Sequence, residues 1–190
     1  MDEQRILLVS HGQFGNEFLE EITRDVQIFF DLPVRYVIDR TDLVPFFDAS
    51  RRQYDANKIL KHLDAASPSE NVKILGLYKV DLFIPILTYI FGQAVFRGKT
   101  GAVSIYRLRN EQYGMPRDEK LLYERFRKVV FHELGHAFGL IHCHVPSCIM
   151  RSSTYVEDID QKKHLFCPKC REELDIFIGR RARLRNGQDF

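Results

Sequence analysis

The sequence predicts an α/β fold, mixed α+β in character, in which a twisted mixed sheet carries helices and leads into a C-terminal part of different make-up. Three observations predict it. Apolar runs at strand spacing alternate twice with segments of helical spacing, a hairpin-like pair follows, and a long amphipathic pattern then gives way to a stretch without periodicity. At 190 residues the chain suits one domain, 1–190, with the sheet and the long helix in 1–139 and a smaller C-terminal part in 140–190.

Residues 5–10 (RILLVS) read as a buried strand, and 16–30 place Phe18, Leu19, Ile22, Val26 and Phe29 at helical spacing. Pro33 precedes a second strand at 34–38. A loop with Pro45 leads to a helix expected over 52–65, with the apolar stripe Ala56, Ile59, Leu60 and Leu63. After the break at Ser67-Pro68-Ser69 comes a strand at 72–78. Residues 91–96 and 102–108 then pair as a hairpin around Gly98-Lys99-Thr100-Gly101, which puts one antiparallel strand near a sheet edge. Pro116 precedes the long helix, whose first turn carries Asp118 and Glu119 in agreement with the helix dipole and whose apolar face runs through Leu122, Phe126, Val129 and Val130. Periodicity is lost over 139–166, and a last helix begins at Pro168 with Leu174, Phe177 and Ile178 inward.

Hydrophobic residues make up 45% and charged residues 28%, the balance of a folded globular protein. A formal charge of +2 does not call for a polyanionic partner, so no nucleic-acid partner is expected. The start Met1-Asp2-Glu3-Gln4-Arg5 is too acidic, and the run after it too short, for a signal peptide. The apolar stretch 82–91 contains Pro85 and falls well short of the ~20 residues of a membrane span. A soluble, cytoplasmic monomer without a membrane partner is the expectation.

The chemistry is concentrated in HELGHAFGLIH at 132–142, which meets HExxHxxGxxH at every fixed position. His132 and His136 are one helical turn apart and project from one face, as two ligands of one Zn²⁺ must. Glu133 can reach a water at the metal without being a ligand. Gly139 permits the left-handed backbone that ends the helix, and the turn returns His142 to the same metal. Three protein ligands leave a fourth position for water, whose pKa a zinc ion lowers towards ~7, with Glu133 as general base and later as proton donor to the leaving amine. The competing possibility is metal binding without turnover, in a zinc-stabilised peptide-binding protein.

All four cysteines lie downstream of this motif, as C-x4-C (Cys143, Cys148) and C-x2-C (Cys167, Cys170). Two spaced pairs fit a closed tetrahedral Cys₄ zinc site that orders the 139–166 loop and anchors the last helix. A disulfide, a redox Cys-x-x-Cys and unrelated buried thiols are the alternatives, and His144 or His164 could substitute for a thiolate.

On these residues the chain resembles the archaemetzincins. Their extended signature HExxHxxGxxHC-x4-C-x-M followed by C-x-x-C is met by His132, Glu133, His136, Gly139, His142, Cys143, Cys148, Met150, Cys167 and Cys170. The stretches FDASRRQYDANKIL at 47–60 and DLFIPILTYIFGQA at 81–94 are also similar to that family. The resemblance implies a metzincin-like zincin fold with an active-site helix, a Met-turn at Met150 below the metal, two zinc ions per chain (one catalytic, one structural), and a metallopeptidase acting on peptides or small proteins. Read from the sequence alone, Met150 could equally be a core filler. Because the first strand begins almost at Met1, no inhibitory propeptide is expected.

Several other features are secondary. The strand at 91–96 could pair with an extended peptide or serve only the sheet. Tyr155, His144 and Arg151 are near the motif in sequence, but nothing in the spacing fixes their geometry, and the sequence identifies no transition-state stabiliser besides the metal. Gly12 and Gly15 read as turn residues rather than a phosphate loop, and Arg180, Arg181, Arg183 and Arg185 read as a solvated basic helix end.

Overall fold

The structure is a computed structural model that describes residues 4–12, 14–66 and 71–180. Strand β1 (Arg5–His11) is followed by helix α1 (Asn16–Phe30) and strand β2 (Val34–Asp39). Short strands β3 (Phe47–Asp48) and β4 (Gln53–Asp55) precede α2 (Ala56–Ala65) and β5 (Val72–Tyr78). Next come β6 (Leu82–Phe83), β7 (Gly92–Ala94) and β8 (Thr100–Ser104), then the long helix α3 (Glu119–Phe138) and two shorter helices, α4 (Val156–Gln161) and α5 (Pro168–Phe177).

The main sheet has the order β2-β1-β5-β8-β7, parallel except for β7, which pairs antiparallel with β8 at the edge. The expected antiparallel edge strand is therefore present. Along β1 and β5 successive side chains enter opposite cores. Ile6, Leu8, Leu75 and Leu77 pack with α1, α3 and the C-terminal segment, while Val9, Val72 and Ile74 pack with α2. Near-continuous burial of both strands is what a parallel sheet covered on both faces requires.

Three features differ from the sequence expectation. The helix expected over 52–65 starts at Ala56, because Gln53–Asp55 forms β4 and the Asp55 side chain caps α2 by accepting from the Asn57 amide. β4 pairs with β3 and β6 in a second, three-stranded sheet that no periodicity announced. The hairpin strands shrink to Gly92–Ala94 and Thr100–Ser104, since the Ser104 hydroxyl donates to the Val80 carbonyl and accepts from the Tyr106 amide, turning the chain into a 3-10 helix at Tyr106–Leu108.

The segment 139–166 is more ordered than its pattern implied. It contains α4 and buries Leu140, Ile149, Met150, Val156 and Ile159 in the same core as α1 and α3. The Ser67-Pro68-Ser69 break and Arg181, Arg183 and Arg185 lie outside the described residues. Arg180 pairs with Asp175 at 2.7 Å and donates to the Phe30 carbonyl, so this side chain is tied to the end of α1. Among the described residues no helix is long and apolar enough to cross a membrane.

Candidate active site

Helix α3 carries the motif into a cleft beside the edge strand β7. It begins at Asp118, whose side chain accepts from the Leu121 amide, and ends at Gly139 with φ of 112°. His132 and His136 project from the same face with their Nε2 atoms 3.0 Å apart. Each ring is held from behind: His132 Nδ1–H donates to the Ile149 carbonyl and His136 Nδ1–H to the Leu140 carbonyl, both at 2.8 Å. Those donations place the ring proton on Nδ1, so two Nε2 lone pairs face one another. Such a pair repels unless a cation lies between them. Two nitrogens on one tetrahedral zinc would be about 3.3 Å apart, from bond lengths of ~2.0–2.1 Å.

The left-handed turn at Gly139 brings His142 back to this point. Its ring centroid lies 5.3 Å from that of His132 and 4.8 Å from that of His136, and one nitrogen from each of the three rings lies within 4.8 Å of the others. Burial lowers all three imidazole pKa values, with Lys162 contributing in the same direction, which favours the neutral form that binds metals. The donor set fits one metal ion with three nitrogen ligands.

Glu133 points into the same cleft and is buried. Burial pushes its carboxyl up to about 8, against the pull of Lys162. Its position depends on a close approach of the β7 backbone: a β-carbon on Gly92 would lie 2.7 Å from Glu133 Cγ and 2.9 Å from Oε1. A side chain at position 92 would displace the carboxylate.

Below the histidines, Met150 is fully buried and touches α3 at Gly135, and its carbonyl accepts from the Cys143 amide at 2.9 Å. The carbonyls on either side of it, of Ile149 and Arg151, both accept from Lys162 Nζ. Lys162 was not among the residues singled out from the sequence. It lies 29 positions beyond Glu133 in the chain, and one lysine of the pair Lys162-Lys163 gives no signal in the sequence.

The cleft around these groups has a volume of about 490 Å³ and is walled by β7, α3 and the segment after Met150. Tyr89 spans it, donating its hydroxyl to the Thr154 carbonyl at 3.3 Å. Of the three residues near the motif in sequence, Tyr155 lines the cleft, while His144 and Arg151 do not. Gly12, at φ 94°, follows β1, and Gly15 is the residue before α1.

The four cysteines also converge. Their Sγ atoms lie within 4.8 Å of one another, and Cys143 and Cys167 are 3.8 Å apart. All four are free thiols, and that separation excludes a disulfide, whose sulfurs are ~2.05 Å apart. Tetrahedral zinc–thiolate bonds of ~2.3 Å give sulfur separations of about 3.8 Å. The amides of Val145 and Cys167 donate to the sulfurs of Cys143 and Cys148, an arrangement that favours thiolates. Among the described residues neither His144 nor His164 joins this group.

Comparison with known proteins agrees with this geometry. The model of peptidase family M54 matches residues 9–176. The archaemetzincin of Pyrococcus abyssi (strain GE5 / Orsay) is 42% identical over 181 residues, covering 92% of this chain and 96% of that protein. A zinc-dependent peptidase from Methanocorpusculum labreanum (strain Z) superposes with a TM-score of 0.80 at 31% identity, over 89% of this chain and 99% of the other. The archaemetzincin of Methanopyrus kandleri gives a TM-score of 0.79 at 29% identity, over 93% and 96%. A match of this extent, over a chain that carries every element of the signature, shows that the protein belongs to peptidase family M54, the archaemetzincins.

Proposed function

We propose that the chain hydrolyses peptide bonds as a zinc metallopeptidase, with His132, His136 and His142 as the ligands of the catalytic zinc and Glu133 as the general base. The observation that carries this reading is the pair of Nε2 atoms 3.0 Å apart with both Nδ1–H groups committed to carbonyls, a geometry suited to a cation. When bound, zinc supplies Lewis-acid polarisation of a carbonyl and an acidified water.

The chain's own residues do the rest. The Ile149 and Leu140 carbonyls fix the tautomer and orientation of His132 and His136. Glu133 takes a proton from the attacking water and returns it to the leaving amine. A buried carboxyl beside three histidines serves hydrolysis; a peptide-binding protein has no use for it. Met150 supports the site from beneath, and Gly139 sets the turn that returns His142.

A second zinc, held by Cys143, Cys148, Cys167 and Cys170, has a structural role and brings the total to two per chain. Cys143 follows His142 directly, so the closed site also steadies the third histidine. On this reading 1–139 holds the sheet and active-site helix, 140–190 holds the third histidine, the Met-turn and the Cys₄ site, and the protein acts as a cytoplasmic monomer on peptides or small proteins.

The test is a peptide-library cleavage assay on the zinc-loaded protein beside its Glu133→Gln variant. Cleavage by the wild type that the variant lacks supports the reading. Failure of the wild type to cut anything that the variant spares removes it.

A further inference from the structure

Two lysines line the cleft beside Glu133, and the chemistry above uses neither. Lys162 is 6% exposed, with Nζ on the carbonyls of Ile149 and Arg151. Lys128 lies on α3 one turn before His132, with Nζ 3.0 Å from the Ile159 carbonyl and 3.3 Å from that of Asp160. All four acceptors are main-chain oxygens, which orient an ammonium without neutralising it.

Apart from Glu133, the carboxylates near these lysines are committed elsewhere. Asp158 accepts from the amides of Thr154 and Tyr155 at 2.8 and 2.9 Å. Asp160 gives both oxygens to Arg125, at 2.8 and 2.7 Å, and Glu124 pairs with Arg127 at 2.6 Å. Among the described residues that line the cleft, Glu133 is the one carboxylate. The wall between α3 and α4 thus carries two cations and the surrounding surface is apolar, with Phe91, Val129 and Ile159. A charge-assisted hydrogen bond gains strength in such a partly dehydrated place. Burial lowers the Lys162 pKa, against the pull of Glu133 and Asp158, while the two carbonyls hold its ammonium group in place.

We infer that Lys128 and Lys162 determine specificity, making the cleft selective for peptides that present a carboxylate beside the bond to be cut. That carboxylate comes either from an acidic side chain or from the peptide's own C-terminus. The inference rests on the peptidase reading, but its test does not require turnover.

The experiment measures binding of labelled octapeptides to the zinc-loaded Glu133→Gln variant by fluorescence anisotropy. The peptides form pairs that differ in Glu against Gln at one central position, or in a free against an amidated C-terminus. The expected preference for the carboxylate is about tenfold, the order of one charge-assisted hydrogen bond. A loss on Glu-to-Gln exchange assigns it to a side chain, and a loss on amidation assigns it to the C-terminus. Adding Lys128→Gln or Lys162→Gln shrinks the preference while binding of the neutral peptide stays the same, and Lys128→Glu shifts it towards peptides with Lys at that position. Lys162 also braces the turn around Met150, so thermal unfolding is followed in parallel; if Lys162→Gln does not fold, the Lys128 variants decide. Equal binding of both members of each pair, absent binding of both, or a preference that survives Lys128→Gln overturns the inference. Carboxylate-selective binding without cleavage by the wild type would instead count against the peptidase reading alone.

Discussion

Met150 is packed against the backbone of Gly135, so closely that a β-carbon on residue 135 would lie 2.5 Å from its sulfur and 3.2 Å from its methyl carbon. The two unspecified positions of the HExxH motif are thus not equivalent here. Gly135 lets the turn around Met150 approach the helix that carries His132 and His136. Gly135→Ala ordinarily gains ~1 kcal/mol of helix propensity. Overpacking of about 1–3 kcal/mol opposes that gain. The expected result is a net loss of about 1 kcal/mol in urea denaturation; a more stable variant would contradict the contact.

Gly92 stands in the same relation to Glu133 from the side of β7. Gly92→Ala places a methyl group against the carboxylate and 3.0 Å from the Ala102 carbonyl, with backbone on one side and Glu133 on the other. Displacing a base by about 1 Å costs on the order of 10²-fold in rate. We expect kcat to fall to that extent while the metal content is unchanged. Full activity in this variant would mean that Glu133 is placed by something other than β7.

Metal analysis of the purified protein is expected to give two zinc ions per chain. His136→Ala should lose one and Cys167→Ser the other, and only the second change should loosen the segment 140–170 in hydrogen exchange. A single zinc lost in both variants would merge the two sites into one.

The pH dependence of stability tests His11, which is 3% exposed, stacks on Tyr78 at 4.8 Å and has Nε2 3.0 Å from Asp39. Burial, opposed by Asp39, lowers its pKa below 6.5. Below that value the unfolded chain binds the proton more readily than the folded one, so stability is lost as pH falls from 6.5 through the folded pKa. His11→Gln should therefore flatten the fall in stability between pH 7 and pH 5 relative to the wild type. Identical slopes would show that His11 titrates normally.

Much of the candidate site was legible in the sequence because its spacing is local. His132 and His136 share a helix, Gly139 needs only a left-handed turn, and each cysteine pair spans a few residues, so element geometry alone brings their donors together. The strand pattern was similarly legible where burial on both faces leaves continuous apolar runs, as in β1 and β5. It failed at β3, β4 and β6, whose two or three residues are too short for any period and are defined by their partners.

The sequence by itself thus determined which groups come together: the three histidines with Glu133 beside them, the four thiols, and the helix end that turns the chain between them. Only the tertiary structure decided what surrounds that chemistry. The carbonyls of Ile149 and Leu140 that orient the rings, the bare backbone of Gly92 against Glu133, and the ammonium groups of Lys128 and Lys162 on the cleft wall come from different elements. The physical reason is that a helix or turn fixes neighbours a few residues apart through its own dihedral angles. Contacts between β7, α3 and α4 exist only once burial of the shared core has set those elements side by side.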